Sequence, residues 1–384
     1  MIPSQEGIIR PDYLPRGLEA LVRTDGGSYF DPQSNFDWSL WVSGSRTRNY
    51  ALDEPLLDWF DMYGEAKGFT PDTKRGLYDL RTDFSEFIMN KGEEFETAVM
   101  KLLYERRELR RIAHTPEETR YLDAAERTFA AMQEGVEIIT QAILRNPDNG
   151  TYGAADALVR SDILCELFPE DVDPYEISVN APALGSKPWH YKIVDVKFHT
   201  LELLQDGSAN ADVLPYMAQV WIYNEALGRI QGYIPPAAYL LGRNWKQGEK
   251  TRGQGTMERL ARVDRDRRTY GGDPIADIAL NAVEWIVRLR QEGDQWDALP
   301  TPSVPELYPN MKSNEDAPWH AAKKELGDQL HELTLLPGVA YKIRNRAHAK
   351  GLYRWDDPRA EEILSDMVAE QYRTKMIGVL RANR

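Results

Sequence analysis

Cysteine is all but missing from this chain. A single Cys165 in 384 residues excludes an internal disulfide framework, a four-cysteine zinc site and a cysteine-held iron–sulfur cluster. Histidine is scarce too: the six, at 114, 190, 199, 320, 331 and 348, show neither an HExxH pattern nor paired zinc spacing. No P-loop occurs, so no ATPase or helicase motor is encoded in these residues. The opening Met1-Ile2-Pro3-Ser4-Gln5-Glu6 lacks the basic-then-apolar pattern of a secretory signal, and no apolar run approaches the roughly 20 residues of a membrane span. A soluble, intracellular protein without a membrane partner is expected. Positive charge is also in deficit, with 47 Lys+Arg against 61 Asp+Glu for a net charge of −14. That balance argues against a surface coated for gripping nucleic acid, although a local groove can still be basic.

What is present suffices for a sizeable core: 42% hydrophobic residues, with 10 Trp, 19 Tyr and 10 Phe, which excludes wholesale disorder. At about 150 residues per domain the length predicts two or three domains. Residues 1–35 are rich in Gly, Pro and Asp and read as an irregular arm. Residues 36–298 read as an α/β domain. Ser85–Tyr104 carries helical spacing, and Pro116–Leu144 reads as a longer helical region. Ala154–Arg160 and Tyr191–Phe198 shift to a period of two, the mark of strands. Leu214–Leu227 is helical again, Ala237–Leu241 a further short strand and Asp277–Arg290 a helix. This order predicts a mixed central sheet flanked by helices. Pro300, Pro302, Pro305 and Pro309, with Pro318 beyond, mark 299–330 as a linker, and 331–384 reads as a small helical domain.

The strand Tyr191-Lys192-Ile193-Val194-Asp195-Val196-Lys197-Phe198 carries the most chemistry. Alternation puts Asp195 and Lys197 on one face and Val194, Val196 and Phe198 on the other. An acid and an amine on an apolar strand are costly to bury unless paired or holding a ligand. Gly153-Ala154-Ala155-Asp156 places a second carboxylate on a short apolar strand. Glu96 shares a helical stripe with Val99, Met100 and Leu103, whereas Glu93 and Glu94 are ordinary first-turn acids that favour the helix dipole. Gln219 and Tyr223, four apart, share a helix face. Each signal alone has a bland reading: a surface ion pair, a turn aspartate, a glutamate reaching for water, core-edge packing.

In this order the four resemble the PD-(D/E)XK nuclease superfamily, and within it the RecB-like branch. The matching residues are Glu96 in Gly92-x-x-x-Glu96, Asp156 in Gly153-x-x-Asp156, the Asp195-Val196-Lys197 strand and Gln219-x-x-x-Tyr223. Trp41–Tyr50, Asp53–Trp59, Glu134–Leu144 and Tyr239–Arg243 are similar to segments of a group of predicted RecB-family nucleases from bacteria and large DNA viruses. The likeness spans roughly residues 38 to 360. It departs from many RecB-like enzymes in the first helix, where Phe95 precedes Glu96 and no histidine lies nearby.

The resemblance implies a restriction-endonuclease-like core and a Mg²⁺- or Mn²⁺-dependent nuclease acting on DNA, an exonuclease ahead of an endonuclease. The alternative is a catalytically degenerate nuclease fold that binds nucleic acid or serves as a scaffold. Hard cations of this kind take oxygen ligands and keep several waters. Asp156, Asp195 and the carbonyl of Val196 are the expected ligands, with Glu96 as a third acid. Lys197 would position or deprotonate the attacking water or stabilise charge on the phosphate, and base and stabiliser both stay open. Gln219 and Tyr223 would orient the DNA backbone or Lys197. In related proteins the domain can precede an RNase H-like domain, so the expectation is either a piece of a longer protein or a chain that works with a separate RNase H-like or helicase partner.

Leu333–Arg354 holds Lys342, Arg344, Arg346, Lys350 and Arg354 without one acidic residue. With Pro337-Gly338 at its centre it resembles half of a helix-hairpin-helix, although Ala340 stands where a second glycine is usual. Such a turn offers backbone N–H groups and basic side chains to phosphates irrespective of sequence; an ordinary αα-hairpin with a basic surface is the other reading. Gly338, Lys342, Arg344 and Arg346, together with Arg160 at the end of the Asp156 strand, are the expected nucleic-acid contacts.

Overall fold

The computed structural model describes residues 38–76, 80–248, 251–253 and 255–383; the expected arm over 1–35 lies outside them. Its strands are β1 (Val42–Ser43), β2 (Leu109–Arg111), β3 (Ile138–Asn146), β4 (Thr151–Arg160), β5 (Tyr191–Leu203), β6 (Ala237–Gln247), β7 (Thr251–Gly253) and β8 (Ala261–Asp264). Its helices are α1 (Arg48–Ala51), α2 (Pro55–Trp59), α3 (Leu80–Tyr104), α4 (Leu122–Glu134), α5 (Ser161–Leu167), α6 (Leu214–Gln231), α7 (Ile275–Glu292), α8 (His320–Leu330), α9 (Tyr341–His348), α10 (Ala360–Ser365) and α11 (Glu370–Ala382).

The chain forms two compact units. The first joins the described residues up to Ala51 to Ile88–Val287; the second joins Leu52–Phe87 to Arg288 and the residues beyond it. This corrects the expectation of one continuous domain over 36–298, because a 36-residue excursion and the end of α7 belong to the second unit.

The first unit is built on an eight-stranded mixed sheet in the order β2-β3-β4-β5-β6-β7, with β1 against β4 and β8 against β6. β2 and β3 run parallel, β4 is antiparallel to both β3 and β5, and β6 is parallel to β5. One expectation fails here: 138–146 is strand, not the end of a helical region. Gly135 stops α4 with φ +87, its N–H donating to the carbonyls of Ala131 and Met132, and the β-branched run Ile138-Ile139-Thr140 then prefers the pleated surface.

Residues 191–196 of β5 are buried without a break, as befits a central strand covered on both faces. One face joins a core of Val194 and Val196 with Val99, Leu103, Ile163, Phe168, Tyr239 and Leu241. α6 is buried almost all round and packs on β3, β4 and β5. Its last residue grips the start of β5: Gln231 accepts from the Tyr191 N–H at 2.9 Å and donates to its carbonyl at 3.1 Å.

In the second unit the proline-rich 299–330 segment is packed structure, which corrects its reading as a linker. Leu307 is fully buried, residues 320–330 form α8, and Lys67 pairs with Asp297 at 2.9 Å. The prolines rigidify irregular backbone that side chains then tie down. Asp72 caps α8 from a distant segment, accepting from the N–H groups of His320 and Ala321 at 2.9 and 3.0 Å. Lys323, fully buried on α8, pairs with buried Glu54 and donates to the Ser313 carbonyl at 2.9 Å; Asp316 lies 3.4 Å away. The C-terminal helices close over Leu333, Leu336, Val339, Ala347, Leu364 and Met376.

Burial pushes the Glu54 carboxyl up to about 7, against the opposing pull of Lys323. A carboxyl that binds its proton more tightly folded than unfolded loses stability as pH climbs from about 4.5 to about 7. Over that window the stability of Glu54→Gln relative to the wild type should rise by up to ~3 kcal/mol, the cost of about two and a half pKa units. Denaturant unfolding of the two proteins at pH 4.5 and pH 8 measures it, and parallel pH profiles would contradict it.

Candidate active site

The ladder between β4 and β5 runs from Arg160–Tyr191 to Ala157–Val194 and stops there. The next residues on each strand are Asp156 and Asp195. On the same edge of β4, further back, β1 pairs with Thr151 and Tyr152. A gap in the pairing therefore opens over residues 153–156, and the acids stand at its rim. Asp156 takes over the role of the missing ladder partner, its Oδ2 accepting the Val196 N–H at 2.8 Å.

Asp195 is 0% exposed. Lys197 Nζ lies 2.6 Å from its Oδ2, and Oδ1 accepts no hydrogen bond among the described residues. Buried polar atoms are nearly always satisfied, so this oxygen is an exception. Lys197 keeps 18% of its side chain exposed and lies 5.1 Å from the centroid of the Tyr216 ring. Glu96 reaches the same place from α3, where Val99 and Leu103 on its stripe enter the core. Its Oε1 accepts from Gln141 Nε2 at 2.6 Å.

The groups feel one another. Loss of solvent and then Asp195 hold the Asp156 carboxyl well above its ordinary value, with Lys197 opposing. Glu96 is raised by burial first, then by Asp195, against the Gln141 bond and the charges of Lys197 and Arg111. Burial alone would lower Lys197, but Asp195 and Asp156 outweigh it and keep the ammonium above its usual value. Three acids thus crowd one buried ammonium.

α6 closes the site. Gln219 Nε2 donates to the Tyr223 hydroxyl at 3.1 Å, and that buried phenol is held above its normal value by burial and by Asp195. The Tyr223 ring fits only because two glycines lie beneath it. A Cβ at Gly153 would meet its Cε1 at 2.6 Å, and one at Gly44 would meet the same atom at 2.8 Å. The glycine of Gly153-x-x-Asp156 and the tyrosine of Gln219-x-x-x-Tyr223 are thus one packing unit. Gln141, Gly44 and Tyr216 are the site residues that sequence reasoning missed. A lone polar residue in an apolar strand, Gln141 in Ile138–Leu144, was the one legible signal.

Asp195, Asp156, Lys197, Glu96, Gln219 and Tyr223 therefore lie together. Two expected nucleic-acid contacts are corrected. Arg160 is occupied: it forks onto Asp162 at 3.0 and 2.5 Å, donates to the Gly135 carbonyl at 2.8 Å and lies 4.4 Å over the Trp189 ring. Arg344 is 1% exposed and donates to the Tyr308 and Pro309 carbonyls at 2.8 and 3.3 Å, because α9 turns that residue into the core. Lys342 and Arg346, four apart on α9, are exposed. Gly338 adopts φ +76 with Tyr372 Cβ only 2.5 Å from where its own Cβ would be, so its smallness serves packing against α11.

Among the described residues no three His, Cys, Asp or Glu side chains already form a cage for a cation. The donors that fit one are Asp195, whose buried Oδ1 lacks a hydrogen bond, and Asp156, with Glu96 alongside. Such an all-oxygen, incomplete set suits a hard dication that keeps its own waters. Compared with family models, curated proteins and solved structures, the chain matches none.

Gly153→Ala should cost about 1–3 kcal/mol by overpacking, and nothing further in a Tyr223→Ala background, where the ring is gone. A double-mutant cycle by chemical denaturation checks this; additive costs would refute the shared packing.

Proposed function

We propose that the first unit is a RecB-like nuclease domain of the PD-(D/E)XK superfamily, with a restriction-endonuclease-like core. It would hydrolyse DNA phosphodiester bonds with Mg²⁺ or Mn²⁺, as an exonuclease ahead of an endonuclease. The observation that carries the reading is Asp195: a fully buried carboxylate whose Oδ1 accepts no hydrogen bond among the described residues, set between a second acid and the Lys197 ammonium.

Asp156, Asp195, the Val196 carbonyl and Glu96 would hold the cation. When bound, it supplies positive charge at the scissile phosphate and acidifies a water for attack. The chain's own residues do the rest. Asp156 stays oriented through the Val196 N–H. Lys197, tethered to Asp195 and partly open to solvent, is placed to meet negative charge developing on the phosphate, which favours electrostatic stabilisation over proton abstraction. Gln219 and Tyr223 form a linked pair that fixes the wall facing Asp195 and Lys197. In the second unit, Lys342 and Arg346 would meet phosphates without reading bases.

End-labelled single-stranded, duplex and circular DNA incubated with Mn²⁺ should be cut. Asp195→Asn and Lys197→Ala should lose on the order of 10²–10⁴-fold in rate, the usual value of a lost acid–base or electrostatic group. Mn²⁺ should also raise the melting temperature of the wild type and not that of Asp195→Asn. Full activity in either variant removes the assignment, and no cleavage with no Mn²⁺ response leaves a nucleic-acid-binding or scaffold role.

Replacing Lys342 and Arg346 together by Ala should reduce the slope of log binding constant against log salt by roughly 2, at about 0.9 per phosphate contact on duplex DNA. Arg344→Ala should instead destabilise the fold by about 3–5 kcal/mol, since it strands Glu332, 3.9 Å away, in the core. An unchanged slope would remove the second unit from DNA binding.

A further inference from the structure

Three described residues other than glycine adopt positive φ: Asp53, Gln141 and His331. Gln141 is the one inside a strand of the central sheet, with φ +48 in the middle of β3. Glutamine has no intrinsic liking for this left-handed region, unlike glycine or asparagine. A backbone so placed persists when its surroundings hold it there, and such residues gather at functional sites.

The surroundings are specific. The β3–β4 ladder holds at Thr140–Ala157 and again at Ala142–Ala155, so Gln141 stands opposite Asp156. Its carbonyl accepts the Ala113 N–H at 3.2 Å, just past the end of β2. Its side chain crosses to α3, where Nε2 donates to Glu96 Oε1 at 2.6 Å. We infer that Gln141 is the positioning residue that carries Glu96 into the carboxylate site, and that its unusual backbone conformation is what aims it there. This rests on the cation-dependent reading of that site.

The residue type fits the task. Glu96 stands on a helix while Asp156 and Asp195 stand on strands, and carboxylates repel. A lysine or arginine at 141 would hold Glu96 but cancel the charge a cation needs. A neutral amide donor holds it and leaves that charge in place. The bond engages Oε1, so Oε2 is the oxygen left for a cation or its water. Partners of this kind, one step removed from the metal, orient ligands and typically govern affinity by 10–100-fold.

The test is Mn²⁺ titration by calorimetry on the full chain, beside thermal melts in chelator. Gln141→Asn suits the backbone better than glutamine but is one methylene too short to reach Glu96, and Gln141→Gly relieves the backbone and removes the donor. Both should melt no lower than wild type, yet bind Mn²⁺ roughly 10-fold or more weakly. In a Glu96→Gln background, Gln141→Gly should change Mn²⁺ affinity no further. Wild-type affinity in both single variants, or an equal loss with and without Glu96, overturns the inference while leaving the metal site standing. A wild-type protein that takes up no Mn²⁺ overturns both.

Discussion

Everything in the first unit turns on like charges held together where hydrogen-bond pairing stops. A sheet satisfies its own backbone only while the ladder continues, and β4 and β5 part just before Asp156 and Asp195. The Asp156 carboxylate repairs one lost bond at the Val196 N–H, which pins it beside a second acid in a place poor in water. Separation would relieve the repulsion, but the strands cannot separate. They are locked beyond the gap by the ladder from Ala157 to Arg160. The scaffold imposes the strain and the site inherits it.

Three other buried or partly buried cations of the first unit make the contrast plain. Lys192, fully buried on the same strand, pairs with Glu176. Arg229 pairs with Asp148 at 2.8 Å, and Arg259 with Asp171 at 2.8 Å. These are near one-to-one pairings, the ordinary way to make a buried ion tolerable. Around Lys197 three acids share one ammonium, with Arg111 acting on Glu96. Natural proteins keep such unfavourable clusters where activity requires them.

Much of this was written in the sequence, and the parts that were not have physical causes. Period-two alternation placed β4 and β5, a short apolar run placed β6, and helical spacing placed α6 and α7, because each has a face or interior that must be apolar. β3 was misread as helix because a short apolar run carries no period of its own; what ends α4 is the left-handed Gly135. The acids could be named from residue type and order, but their convergence is tertiary, set by where a ladder ends. Arg160 at the end of the Asp156 strand and Arg344 within a basic run looked like phosphate contacts because neither position carries a sequence signature of burial. Prolines over 299–330 suggested a linker, yet proline also suits rigid, packed irregular chain, and the Asp72 cap on α8 comes from some 250 residues away. The left-handed backbone of Gln141 was hidden most deeply, since a backbone angle is nowhere spelled in residue order.

The second unit shows what surplus negative charge does when no site is made of it. Glu54 and Asp316 both face buried Lys323, and Glu54 answers by holding its proton up to about 7. A proton is one way to settle an acid cluster and a dication is another; the two compete for the same oxygens. At Glu54 the buried Lys323 ammonium already faces the carboxyl. Between Asp156 and Asp195 the gap in the ladder stays partly open, with Lys197 at its mouth and Glu96 held at its side by Gln141. The two acid clusters therefore differ in what the backbone leaves around them, and under the proposed reading only the one in the first unit would exchange its protons for a dication.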